Sequence, residues 1–506
     1  MPKDHEAAYK DAEPGATIDH PAIRPQALHE ANRLHSAFFG HPLASPTNPN
    51  SASSPKKKPS PKNERLCMGG HRETIFGLSF SPDGKYMASA SQDSSVCIWD
   101  VKTHRLVAKL TDEIDAEFEC LRVAWMEPTR NNDVIPTSAA EEDEYLLASA
   151  GADGIVRLFS GITSGVDGDK KMTWQSAGTM DHFLLNKGDN SNDGGEKKKE
   201  DRPQIYALQF LQSKVAPEKN LLLTSADGCI YLWNIVEDTT SPQSPLSDDT
   251  TTAKRRKSFL LYQSVRFGHL NDGTRVYKFG GSRNPDNDLF VFDASYSQSN
   301  DLMGVALSDG TCRVLSLVKG NGDPNDPNYN ESIFQEECVL SLPSGYFPGM
   351  RGGHLTALSW DKSGTRLATC IASGRVVLWS LQVVADGYGA WMLHPSCISI
   401  MEGGHDIGRP LFGAKYWGGD NQELLMTWGV DGKVCVWDSY SVGDVISPLC
   451  ILVSHSNYPI YALDVTGGET NTSDKGSELQ EQRTHIGLAG GSDGGFLGVP
   501  VYLYDV

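Results

Sequence analysis

What this chain lacks narrows it first. No run approaches about 18 apolar residues, so no membrane-spanning helix and no membrane partner are expected. The opening residues, MPKDHEAAYKDAEPGATIDH, are polar and hold no apolar stretch of the kind a secretory signal needs. The ten cysteines include no CxxC pair. Cys97, Cys370 and Cys435 instead sit inside apolar runs, the pattern of buried free thiols in a reducing compartment. An intracellular protein, cytoplasmic, nuclear or both, is the expectation. The fourteen histidines form no HxxxH pair and no Cys/His cluster, so no metal is expected. GGEKKKED is not a phosphate loop: it lacks GxxxxGK[ST] and lies in a polar insertion. No cofactor is expected. Positive charge is also short, with 45 Lys and Arg against 64 Asp and Glu and a net charge of −19. Such a surface does not grip nucleic acid as a whole. Partners should be other proteins, with nucleic acid touched only indirectly or through local basic patches.

What is present is apolar material for a large core, 39% of 506 residues. It is unevenly spread. Residues 1–63 end in HPLASPTNPNSASSPKKKPSPKNE, rich in Pro, Ser, Asn and Lys, and read as a disordered extension. Within it, PQALHEANRLHSAFFGH spaces Leu28, Ala31, Leu34 and Phe38 three or four apart, with Gly40 as a stop. That predicts a short amphipathic helix able to dock on the body of the protein or on a partner. Short basic clusters (SPKKKPSPK and AKRRK at 253–257) and Ser-Pro pairs at Ser45, Ser54, Ser60, Ser241 and Ser244 are weak import or phosphorylation signals.

From residue 64 one unit returns. A small-residue strand leads to a tight Asp-Gly-like turn, then an alternating strand ending in an aromatic. YMASASQDSSVCIWD, YLLASAGADGIVRLFS, NLLLTSADGCIYLWN, LMGVALSDGTCRVLS, RLATCIASGRVVLWS and LLMTWGVDGKVCVWD are the clear copies, and HIGLAGGSDGGFLGVPVYLYD is a seventh. Period-two alternation broken by Gly and Asp means antiparallel strands, and its recurrence means stacked sheets. Between Asp100 and Asp438 the copies recur about every 68 residues, above the ~40–45 such a unit needs. The surplus falls in polar, turn-rich insertions.

The pairs Gly70-His71 with Trp99-Asp100, Gly404-His405 with Trp437-Asp438, and Gly353-His354 with Trp379-Ser380 resemble the WD40-repeat family across residues 64–506. The resemblance implies an all-β fold, a seven-bladed propeller behind the N-terminal extension. It also implies ring closure: ERLCMGG at 64–70 would complete the last blade beside VPVYLYDV, although VYLYDV is itself a candidate outer strand.

His71, Ser89 and Asp93 are the residue types of a hydrolase triad, yet they read as architecture. His405, Thr427, Asp431 and Trp437 repeat the spacing of His71, Ser89, Asp93 and Trp99, with Ser exchanged for Thr. A nucleophilic site needs one exposed serine beside an oxyanion hole, not copies on separate blades. The resemblance implies structural tetrads instead, with Asp, His, hydroxyl and Trp in a buried hydrogen-bonded chain. His354, Thr369 and Trp379 form a third set in which Ser373 stands for Asp; blades 2, 3, 4 and 7 lack the full set and should rely more on apolar packing. No catalytic residue is assigned.

The expected role is a non-enzymatic scaffold or adaptor subunit that holds partner segments on the face where the Gly-His loops and Asp turns open. Residues flanking those loops are the partner-binding candidates: Arg72, Glu73, Gln92, Gln204, Tyr206, Asp406, Arg409 and Trp428, the last read as facing the channel mouth. Alternatives are an RNA- or chromatin-associated subunit and a substrate receptor of a cullin-4 ubiquitin ligase. The latter is weakened because Lys102 and Tyr440 stand where receptors carry Arg after Trp-Asp.

Overall fold

The computed structural model describes residues 24–39, 64–111, 118–127, 144–164, 171–182, 202–226, 228–237, 256–267, 289–319, 332–341, 353–385, 391–417, 424–441, 443, 445–453, 458–466, 485–490 and 499–505. The Ser-Pro pairs, SPKKKPSPK and most of AKRRK lie outside them, as does most of the 1–63 extension.

Seven sheets form, one at each copy of the repeat, antiparallel apart from the short strand Val445–Ile446 that pairs parallel with Trp391–Met401. Blade 1 runs outward as Ile75–Phe80, Tyr86–Ser91, Val96–Asp100 and Arg105–Leu110. Blades 2 to 6 begin with Cys120–Trp125, Leu208–Leu211, Val291–Ser297, Leu355–Trp360 and Leu411–Trp417, and blade 7 with Ile460–Val465. First strands of successive blades touch in order, and blade 7 touches blade 1, so the sheets close into a ring. This is a seven-bladed β-propeller.

Closure uses both chain regions. Val499–Asp505 is the third strand of blade 7, and Glu64–His71 pairs with it antiparallel as the fourth, Glu64 opposite Tyr504. The open question about VYLYDV is thus resolved in favour of the third position. No edge is left between first and last blades.

Second strands such as Tyr86–Ser91 and Leu424–Gly429 are buried nearly throughout, because both of their faces meet neighbouring blades. Seven apolar clusters fill the seven interfaces. Polar clamps add register between first strands. Asp464 of blade 7 accepts Phe80 N–H of blade 1 at 2.8 Å, and Asp293 of blade 4 accepts Leu358 N–H of blade 5 at 2.8 Å. Indole N–H groups of Trp125 and Trp360 donate to Ser79 and Ser295 carbonyls of the preceding blade.

Turns set the two faces. The SPDG turn of blade 1 is knit by Ser81, whose hydroxyl bonds Asp83 and accepts Tyr86 N–H at 2.9 Å. The opposite turn needs a left-handed residue: Gly154 (φ 73°) and Gly432 (φ 70°) supply it, and in blade 1 Ser94 adopts it at 60°. The face carrying the second kind of turn, together with the loops entering each first strand, is called the top here.

One helix occurs among the described residues, α1 (Pro25–Phe39). It docks on the bottom, against Cys450–Val453 of blade 6 and Val499–Asp505 of blade 7. Ala27, Ala31 and Leu34 face inward, fully buried, while Leu28 is only half-buried. The predicted helix is present with Ala31 and Leu34 buried as expected, while Ala27 takes the place of Leu28; the side chain of Phe38 lies outside the described ones.

Candidate functional site

The Gly-His and Trp signals meet inside the blades. In blade 1, His71 Nδ1–H donates to Asp93 at 3.1 Å, and His71 Nε2 lies 2.7 Å from Ser89 Oγ. Trp99 Nε1–H donates to the same Oγ at 2.8 Å. In blade 6, His405 reaches Asp431 at 3.0 Å and Thr427 at 2.8 Å, and Trp437 donates to Thr427 at 2.8 Å. Each Asp also accepts backbone N–H groups: Asp93 from Arg72, and Asp431 from Asp406 and Lys433. Burial pushes the Asp93 carboxyl up, but the bonds from His71, Ser95 and Arg72 and the charge of His71 outweigh it and hold it well below the carboxylate range. Asp431 is likewise held low against its burial, chiefly by His405.

The glycines before these histidines have a packing reason. A Cβ at Gly70 would lie 2.5 Å from the Trp99 ring, and one at Gly404 3.0 Å from the Trp437 ring. Gly, His and Trp therefore travel together: the missing side chain lets the indole slide under the loop and reach the hydroxyl.

The third set behaves differently. Trp379 donates to Thr369 at 3.0 Å, but His354 stacks on Phe292 of blade 4 at 4.6 Å. The reason is register. Ala372 N–H bonds His354 O just as Gln92 bonds Thr74 O and Val430 bonds Pro410 O. His354 thus stands where Thr74 does, three residues past the position of His71.

Blades 2, 3 and 4 show no full Asp–His–hydroxyl–Trp set among the described residues, but each has polar bracing of its own that the sequence reading did not foresee. In blade 3, His182 Nε2 lies 2.8 Å from Thr224 Oγ1, to which Trp233 donates at 3.0 Å; the other ring nitrogen bonds Gly154 O at 3.2 Å. Burial pulls the His182 pKa down to about 4, despite the opposing carbonyl bond. Blades 2 and 4 replace the histidine with arginine from the third strand: Arg157 pairs with Asp153 at 2.6 Å, and Arg313 with Glu336 at 3.4 Å and Asp309 at 3.8 Å. Arg157, Asp153, His182 and Arg313 are buried bracing, while Asp309 stands at the exposed turn.

The surface candidates separate. Arg72, Glu73, Gln204, Asp406 and Arg409 are exposed on the top loops, and Gln92 and Tyr206 are half-buried there. Gln92 reaches Glu119 at 3.4 Å, and Asp406 pairs with Lys433 at 2.7 Å. Trp428 is a correction. It is 7% exposed, and its Nε1–H donates to Tyr461 O of blade 7 at 3.3 Å. Thr427 faces its own tetrad, so Trp428 points to the opposite face of the same strand and packs between blades 6 and 7.

Two top-face features escaped the sequence reading. Tyr206, Phe290, Phe292 and His354 touch ring to ring across blades 3, 4 and 5, at 5.2, 4.7 and 4.6 Å. Phe290 is 38% exposed. Ile407, between Asp406 and Arg409, is 70% exposed. The run DLFVFD carried the first signal, as alternating aromatics ahead of a small-residue strand.

No described group of three or more His, Cys, Asp or Glu side chains is arranged to hold a metal, and no described helix is long and apolar enough to cross a membrane. Among the described residues nine cysteines are unpaired, all but Cys338 and Cys397 buried.

The fold and the repeated Asp–His–hydroxyl–Trp chains define a class: β-propellers assembled from tetrad-braced sheets. Comparison with known proteins agrees. The family model "WD domain, G-beta repeat" matches residues 63–100 and 343–380. Nuclear distribution protein nudF of Emericella nidulans is 33% identical over 100 residues, 18% of this chain and 22% of its own. Ribosome biogenesis protein ERB1 of Debaryomyces hansenii is 35% identical over 132 residues, 23% of this chain and 16% of its own. Protein HIR1 of Yarrowia lipolytica is 30% identical over 110 residues, 21% and 10% respectively. The matches span less than a quarter of the length of these relatives. The fold is a seven-bladed β-propeller, and the chain carries repeats of the WD40 type at the two matched segments.

Proposed function

We propose that this propeller is a non-enzymatic interaction scaffold that holds a segment of a partner protein across its top face. The aromatic strip Tyr206–Phe290–Phe292–His354 carries the reading. It links three blades on the face where Arg72, Glu73, Ile407 and Arg409 also stand exposed. Aromatic and arginine side chains on a rigid frame are the usual anchors of an interface, the aromatics because they bury large area at little ordering cost and arginine because its planar guanidinium makes several directed hydrogen bonds. The partner this chemistry suits is an extended segment with apolar side chains for the strip and charged flanks for the loop of blade 6. Relatives named for nuclear distribution and for ribosome biogenesis share the repeat, which fits work inside larger assemblies. Top-face cations Lys109 and Lys433 are engaged by Asp93 and Asp406, which disfavours a nucleic-acid surface there.

Tagged wild type should co-purify specific chains from its own cells. A Phe290→Ala/Arg409→Glu variant, with unchanged thermal unfolding, should bind them about 30-fold more weakly, the loss of one anchor at ~2 kcal/mol. Wild type running alone, or the variant keeping every partner, would refute the assignment.

A further inference from the structure

The bottom of the molecule holds a second, already filled, recognition site. α1 packs against Cys450–Val453 and Val499–Asp505 in the groove between blades 6 and 7, and its buried side chains join the apolar cluster that holds Trp417, Leu424, Leu452, Leu463 and Tyr504. Among its described side chains the buried ones are Ala27, Ala31 and Leu34. The larger commitment is at its leading end. Arg24 donates from Nε at 3.0 Å and from Nη2 at 2.5 Å to Asp438, the acidic residue of the Trp-Asp pair. Asp438 is 1% exposed beneath it and also accepts Tyr440 N–H at 3.0 Å. The Tyr440 ring is contacted by two guanidiniums, Arg24 at 4.3 Å and Arg366 of blade 5 at 3.9 Å. Arg33 adds a contact to the Trp417 ring at 5.5 Å. The corresponding residue of blade 1, Asp100, bonds a turn N–H (Thr103) and carries no described arginine partner.

We propose that this groove is a helix-docking site, and that α1 is its internal ligand: a detachable segment, not part of the permanent core. Three observations support it. The site reads a defined pattern, an arginine followed by Ala27, Ala31 and Leu34, through a carboxylate with an aromatic side wall and a shallow apolar trough. The seven sheets close without α1, because ring closure is made by Glu64–His71. And 24 residues, 40–63, connect the helix to that closing strand, so α1 can leave without unpairing it. A 15-residue helix is marginal alone in water, so docking and helix formation are coupled, which suits a reversible contact. A tethered ligand acts at millimolar effective concentration, so an outside helix of the same pattern gains entry only when α1 is weakened. This site is separate from the top face and stands whether or not the top-face reading does.

The test uses the full chain and a labelled peptide of residues 21–40. An Arg24→Glu/Leu34→Glu variant should free the groove and bind the peptide at micromolar affinity by fluorescence anisotropy. Wild type should bind it at least 100-fold more weakly, because α1 competes. A peptide carrying the same two substitutions should bind neither. In wild type, amide exchange in α1 should be faster than in Leu424–Gly429. Equal binding to both proteins, no binding to the variant, or α1 amides exchanging only with the blade strands would overturn the proposal. Collapse of the variant's propeller would do so as well, since it would make α1 integral core.

Discussion

Asp431→Ala is expected to lower unfolding free energy by about 3 kcal/mol, the range for stranding buried donors. The carboxylate is fully enclosed and serves His405 Nδ1–H at 3.0 Å and the N–H groups of Asp406 and Lys433 at 3.0 and 3.2 Å. Alanine leaves these donors without their acceptor and frees the imidazole that positions Thr427 under Trp437. Ser373→Ala is the matched control. Ser373 Oγ is buried without a hydrogen-bond partner, so removing it should be neutral or slightly stabilising. Urea denaturation of both variants measures the contrast. Equal midpoints would show that the tetrads do not brace the ring.

Acid should weaken the protein in two separate windows. His182 is held neutral by burial, with its pKa pulled down to about 4 against about 6.5 in an unfolded chain. Between those values the unfolded state binds a proton that the folded state refuses. Stability is therefore complete above pH about 6.5 and falls by about 3 kcal/mol as pH drops to about 4. Asp93 and Asp431 act lower down. Their carboxyls are depressed on folding, so their contribution is present above about pH 4 and is lost as pH falls further. Denaturant midpoints followed from pH 7.5 to 4.5 measure the first window. A His182→Gln variant, less stable at neutral pH, should lose that part of the slope. His182 ring signals showing a proton gained at pH 6 would contradict the assignment.

The repeat was legible because strand alternation and turn glycines are local signals. The blade count followed from the recurring copies, ring closure was implied by the WD40 resemblance, and α1 was read from the three-or-four spacing of Leu28, Ala31, Leu34 and Phe38. The bracing of blade 3 was not legible. His182 follows Asp181 instead of glycine, and residues 183–200 separate it from the next blade, so no Gly-His pair marks it. Arg157 and Arg313 occupy the place of Cys97 and Cys435 one strand over from the turn Asp, a swap of ion pair for imidazole that composition hides. His354 misled because Gly-Gly-His recurs three residues out of step, a shift that only backbone pairing reveals. Trp428 could have been read correctly. A residue next to a tetrad hydroxyl must face the other side of its strand, and second strands have protein on both sides. The aromatic strip was missed because it is assembled from three blades and no single segment contains it.

Under the proposed function, partner segments are held on the top face. Hydrogen exchange of the purified protein with and without its co-purifying chains tests it directly. Protection should appear at residues 72–76, 204–208, 289–293 and 405–410, while the bottom turns at 81–86 and 361–366 stay unchanged. Protection confined to those bottom turns, with the top loops exchanging freely, would contradict the account.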